Sequence, residues 1–166
     1  MQTGQIQIGQ MKDQHQELLT DFQRFARLAS TTRERLMQHI SDRLHAELVR
    51  YNWVGFYLID KADPRTLVLG PFSGTDTPHV RIPFDKGLCG AAATSGDTVM
   101  VNDVSVDPRY LAESGLTQSE IVVPIFLGKQ LVAELDINSY FKNTWDSIEH
   151  RFVESCAALV AEKLVG

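Results

Sequence analysis

Thiols are scarce in this chain: 166 residues hold two cysteines, Cys89 and Cys156. Two cysteines so far apart make no disulfide framework, and without a CxxC pair the common zinc and dithiol spacings are missing. The five histidines (His15, His39, His45, His79 and His150) fall in no HxxxH or HExxH pattern. No metal site or cofactor is therefore expected, and all but His79 read as solvated residues on helix faces. Basic residues are in the minority, 16 Lys and Arg against 21 Asp and Glu for a net charge of −5. A nucleic-acid footprint needs the opposite balance, clustered on one face. No apolar run approaches the roughly 18 residues that span a bilayer. The start, Met1-Gln2-Thr3-Gly4-Gln5, is no signal peptide. These absences leave a cytoplasmic protein with neither nucleic acid nor membrane as partner. Internal repeats, heptads and low-complexity blocks are lacking too.

What remains is ordinary for a folded domain, with 43% apolar and 22% charged residues. Residues 1–10 are polar and Gln-rich and read as a loose tail; 11–166 read as a single domain. From about 11 to 29, Leu18, Phe22, Phe25 and Ala29 recur at helical spacing. A second helix follows Thr31, with Glu34 three positions on as a possible capping box, and a stripe of Leu36, Met37, Ile40, Leu44 and Leu48. Near the other end, Asp146 and Glu149 can cap a helix striped by Ile148, Phe152, Cys156, Leu159, Val160 and Leu164. Cys156 lies on that stripe and reads as a buried small hydrophobe.

Between the helices the period falls to two. Strands are expected over 52–59, 66–72, 80–82, 98–101, 119–127 and 130–138, with a turn at Asp63-Pro64-Arg65 and a hairpin at Gly128-Lys129. Gly87-Leu88-Cys89-Gly90 opens a short helix. Residues 103–118 have no periodicity, and a loop of that length inside a domain is usually functional or mobile. Antiparallel strands between terminal helices give an α+β sandwich, with helices on one sheet face.

Alternation sorts the strand residues onto two faces. Val54, Phe56, Leu58, Ile121, Val123, Ile125, Ala133, Leu135 and Ile137 form an apolar face for the helices. The other carries Trp53, Tyr57, Glu120, Asp136 and Asn138, an aromatic and acidic set that suggests a pocket under the 103–118 loop. Solvated sheet residues are the plainer alternative. A helix starting near Leu88 and Cys89 offers free N–H groups to an anion, and its field is expected to lower the Cys89 thiol pKa. Donors for a carboxylate, acids for an ammonium and aromatic rings together suit a small zwitterion.

The segments Asn52-Trp53-Val54-Gly55-Phe56-Tyr57, Leu69-Gly70-Pro71-Phe72, Gly87-Leu88-Cys89-Gly90, Ser119-Glu120-Ile121-Val122-Val123-Pro124 and Leu135-Asp136-Ile137 occur in that order. The chain resembles the GAF domain over roughly residues 15 to 164, specifically its free methionine-(R)-sulfoxide reductase branch. The resemblance implies a GAF/PAS-like six-stranded antiparallel sheet flanked by N- and C-terminal helices, often in a homodimer. It also implies that Trp53, Tyr57, Glu120 and Asp136 hold a free amino acid, with Asn138 where the branch has a second Asp. The branch reacts through a cysteine in the loop before the Ser119–Pro124 motif; here Glu113 stands at that position. A further branch cysteine is replaced by His79, so only the one at Cys89 is kept.

Sulfoxide reduction needs one thiolate to attack sulfur and a second thiol to resolve the product. The sequence is read accordingly as a non-catalytic small-molecule sensor with Trp53, Tyr57, Leu88, Cys89, Glu113, Glu120, Asp136 and Asn138 around the ligand. Two alternatives stand beside it: a reductase using Cys89 with an external thiol, and a dimerisation module whose pocket has decayed.

Overall fold

Each expected helix and strand has a counterpart in the structure, a computed structural model that describes residues 11–112 and 115–165. The tail at 1–10 and Glu113 lie outside the described residues. The elements run α1 (Asp13–Arg27), α2 (Arg33–Glu47), β1 (Trp53–Ile59), β2 (Thr66–Ser73), β3 (Arg81–Pro83), α3 (Gly87–Ser95), β4 (Val99–Val101), β5 (Ser119–Leu127), β6 (Gln130–Ser139) and α4 (Ser147–Val165). A short 3-10 turn, Val104–Val106, interrupts the aperiodic loop.

Helix boundaries follow capping chemistry. The Thr32 hydroxyl accepts the Arg35 N–H at 3.1 Å, so α2 begins one residue later than the Thr31 cap expected. Thr31 is itself buried. Glu34 then sits one position short of a capping box and binds Arg33 Nε at 2.7 Å instead. The Asp146 carboxylate accepts the Glu149 N–H at 2.8 Å, as expected for the start of α4. Helix α1 ends before Ala29, which is exposed.

The six strands form one antiparallel sheet in the order β3-β2-β1-β6-β5-β4. The β5–β6 hairpin pairs Leu127 with Gln130, and Gly128 takes the positive φ of 63° that its tight turn requires. One face, with Val54, Phe56, Ile121, Val123, Leu135 and Ile137, packs under α1, α2 and α4 around Phe22, Leu36, Ile40, Phe152 and Val160. The second face is not left to solvent: α3 and the turn at Val104 cover it, burying Trp53, Tyr57, Leu88, Ala92 and Val122. The expectation of helices on one face only is corrected in that respect. No helix among the described residues is long and apolar enough to cross a membrane.

Two histidines depart from the solvated reading. His15 is 2% exposed, stacks on Phe152 with centroids 4.2 Å apart, and places Nε2 3.2 Å from Glu149 Oε2. His39 stacks on Phe25 and sets Nε2 2.7 Å from Asp21 Oδ2. Both fill seams where α1 crosses α4 and α2, and such seams depend on inter-helix packing.

Candidate functional site

Strand register assembles the site. Trp53 pairs with Asn138, which pairs with Glu120; Gly55 pairs with Asp136, and Tyr57 with Glu134. Directly opposed residues of an antiparallel sheet share a face, so these rows lie together beneath α3. Gly55 matters because the Trp53 indole lies over it: a Cβ there would come within 2.4 Å of Trp53 Cη2 and 2.8 Å of Phe72 Cβ. Trp53 Nε1 donates to the Thr75 carbonyl at 3.0 Å, and its ring stacks on Phe72 with centroids 5.6 Å apart. The Tyr57 hydroxyl donates to the His79 carbonyl at 2.8 Å. Both rings are therefore anchored by their polar ends.

From above, α3 lowers Leu88 and Cys89 onto this floor. The Cys89 thiol donates to Asp136 Oδ2 across 3.5 Å, and Asn138 Nδ2 donates to Asp136 Oδ1 at 3.4 Å. Ligand-capable atoms of Cys89, Glu120 and Asp136 lie within 4.8 Å of one another, all buried. The cavity at this point, lined by Leu88, Cys89, Glu120, Asp136, Ile82, His79, Gly87 and Leu111, has a volume of about 10 Å³. That is room for roughly one water. His79 also places Nε2 2.9 Å from the Ala112 carbonyl, tying the 75–80 turn to the loop beside Glu113.

The electrostatics are one-sided. Both carboxylate oxygens of Glu134 and Oδ1 of Asn138 are buried without a hydrogen-bond partner among the described residues. Burial, then the neighbouring Asp136, raises Glu134 well above the usual carboxylate range. Burial also raises Asp136, although contacts with Glu120, Cys89 and Asn138 pull the other way. The Cys89 thiol is pushed far up by burial, then by the charges of Asp136, Glu134 and Glu120. The expected activation of Cys89 by the helix field is thus overturned: burial first, then three acids from the sheet, raise the thiol against the helix dipole. Cys156 is also raised by burial. It lies on α4 in the core beneath the opposite face, while Cys89 belongs to the cluster under α3, so the sheet separates the two thiols.

Of the expected site residues, Leu88, Cys89, Glu120 and Asp136 line the cavity. Trp53, Tyr57 and Asn138 are buried on the same face beside it. Glu134 was missed. Its alternation with Asp136 was visible in the sequence, and so was its place on the acidic face. Replacing it with Met is expected to raise stability, because an unpartnered buried carboxylate costs about 1–3 kcal/mol. Thermal denaturation of Glu134→Met checks this, with a gain of roughly 2–12 °C for a chain this size.

The GAF domain family model matches residues 32–164. Protein YtsP of Bacillus subtilis is 39% identical over 121 residues, 73% of this chain and 73% of that protein. The free methionine-R-sulfoxide reductase of Saccharomyces cerevisiae is 40% identical over 119 residues, covering 70% of this chain and 65% of the yeast protein. Among solved structures, the free methionine-R-sulfoxide reductase of Neisseria meningitidis in complex with its substrate superimposes with a TM-score of 0.85. That match has 30% identity over 95% of this chain and 93% of the other.

Proposed function

This chain belongs to the GAF domain family, within its free methionine-R-sulfoxide reductase branch, and we propose that it binds a small ammonium-bearing zwitterion without reducing it. The supporting observation is the placement of the thiols. A self-contained thiol cycle ends in a disulfide, and two bridged cysteines bring their Cα atoms to about 4.4–6.8 Å. Cys89 and Cys156 face opposite sides of the sheet, and the chain has no third cysteine. The Cys89 thiol, moreover, is held in its protonated form by its surroundings, and the thiol form is the poorer nucleophile.

The acids argue for a cationic guest. Glu134 is buried with a raised pKa and both oxygens unpartnered, and an amino acid's ammonium supplies three donors and a positive charge to this acidic face. Trp53 and Tyr57 flank the position with aromatic surface suited to a cation or an apolar side chain. A free amino acid exceeds the space of about 10 Å³, so binding displaces the covering segments near His79 and Leu111. That movement, or a change of dimer geometry, is the signalling output in this reading.

The small cavity is also what favours a second reading, a structural module with a closed pocket. Differential scanning fluorimetry with L-methionine, L-methionine (R)-sulfoxide and other free amino acids separates the two. A ligand at 100 times its Kd adds about 2.7 kcal/mol, equivalent to roughly 5–11 °C. No shift with any amino acid at millimolar concentration returns the structural reading. Sustained consumption of the sulfoxide with an external thiol, lost in Cys89→Ser, returns the enzyme.

A further inference from the structure

We propose that the closed cavity under α3 is a site for one divalent transition-metal ion of the Zn²⁺ class, held by Cys89 Sγ and one carboxylate oxygen each of Glu120 and Asp136. The histidine spacings pointed away from any metal because these ligands come from three separate elements, α3, β5 and β6. Tertiary structure alone brings them together. Tetrahedral Zn²⁺, with bonds of about 2.0–2.3 Å, sets its ligand atoms about 3.3–3.8 Å apart. Cys89 Sγ and Asp136 Oδ2 stand 3.5 Å apart, and all three ligand atoms fit within 4.8 Å.

A second observation points to an occupant. Asn138 Oδ1 is unpartnered in a residue 1% exposed, and the bond from its Nδ2 to Asp136 places it at the cluster's edge. Glu134, fully buried two positions along β6, adds two more unpartnered oxygens. A water completes four ligands, and Glu134 adds negative charge behind them. The space of about 10 Å³ admits an ion without displacing the covering segments.

Ligand type sets the metal class. Ca²⁺ demands six to eight oxygens and Mg²⁺ a regular octahedron with retained waters. One sulfur with two carboxylates suits a borderline-soft ion. Binding releases the Cys89 proton, and that of any protonated carboxyl in the set, to solvent; nothing is oxidised or reduced. Resting on the ligand reading above, one consequence follows: the ion and an ammonium group compete for the same oxygens, so Zn²⁺ lowers the affinity for a free amino acid.

The test uses the full chain, stripped with chelator. Zn²⁺ titrated by calorimetry is expected to bind at one equivalent. Co²⁺ is expected to give a thiolate-to-cobalt absorption band that survives in Cys156→Ala and vanishes in Cys89→Ser. Asp136→Asn is expected to weaken Zn²⁺ by at least about tenfold, the lower bound even for residues that only orient a ligand. The Cys156→Ala protein has Cys89 as its sole thiol, so its cobalt band decides the matter even if Cys89→Ser does not fold. No saturable Zn²⁺ binding, or a cobalt band lost in Cys156→Ala, overturns the site. Amino-acid titrations without metal report on the ligand reading separately, and their failure leaves the Zn²⁺ isotherm unchanged.

Discussion

Glu149→Ala is expected to cost about 3–5 kcal/mol of folding stability, as removal of one partner from a buried ionic cluster does. Glu149 is 8% exposed and bridges three elements. Its Oε2 accepts the Tyr51 hydroxyl at 2.5 Å and lies 3.2 Å from His15 Nε2, while Oε1 takes Lys12 Nζ at 3.4 Å. The truncation strands the Tyr51 hydroxyl and His15 in a core where His15 Nδ1 already lacks a partner. The thermal midpoint should fall by roughly 10 °C. A drop under about 2 °C would show that the cluster is not what pins α1 to α4.

The same group sets an acid limit. Burial opposes its charge, but hydrogen bonds from His15 and Tyr51, with the charges of His15 and Lys12, hold the Glu149 carboxyl below its usual value. A depressed folded pKa gives stability that is complete above the unfolded carboxylate pKa of about 4.3 and is lost as pH falls through the folded value. Urea midpoints measured from pH 6 down to pH 3 should therefore fall less steeply in Glu149→Gln than in the parent below about pH 4.3.

Gly55→Ala is the second large effect, and it strikes the site. The new methyl would meet Trp53 Cη2 at 2.4 Å and Phe72 Cβ at 2.8 Å, with α3 closing the space above. Overpacking of this kind costs about 1–3 kcal/mol, and relief comes by tipping the indole off its stack with Phe72. The expected result is a lower thermal midpoint, altered tryptophan fluorescence and amino-acid binding weakened at least tenfold. Unchanged fluorescence and binding would mean that Trp53 is not part of the cradle.

Much of this was legible because it is local. Strand limits agree within one or two residues, since period-two runs and the Gly128 turn act over a few neighbours. Alternation placed Trp53, Tyr57, Glu120, Asp136 and Asn138 on one face, and strand pairing joined them into rows. What escaped depends on contacts between distant segments. The field at the start of α3 suggested a reactive Cys89, but its burial under α3 and the carboxylates arriving from β5 and β6 are what raise its pKa. His15 looked like a solvated helix residue because Phe152 and Glu149, far along the chain, are what enclose it. The shift of the α2 cap from Thr31 to Thr32 is a subtler case: Thr31 is drawn into the interior, and its neighbour takes over the backbone donor.

The sheet ends on both sides in very short strands, β3 and β4, each of three residues. Pro83 removes one amide donor from the first. A foreign strand annealing to either margin thus finds too brief a ladder to hold it, which guards against runaway fibre growth.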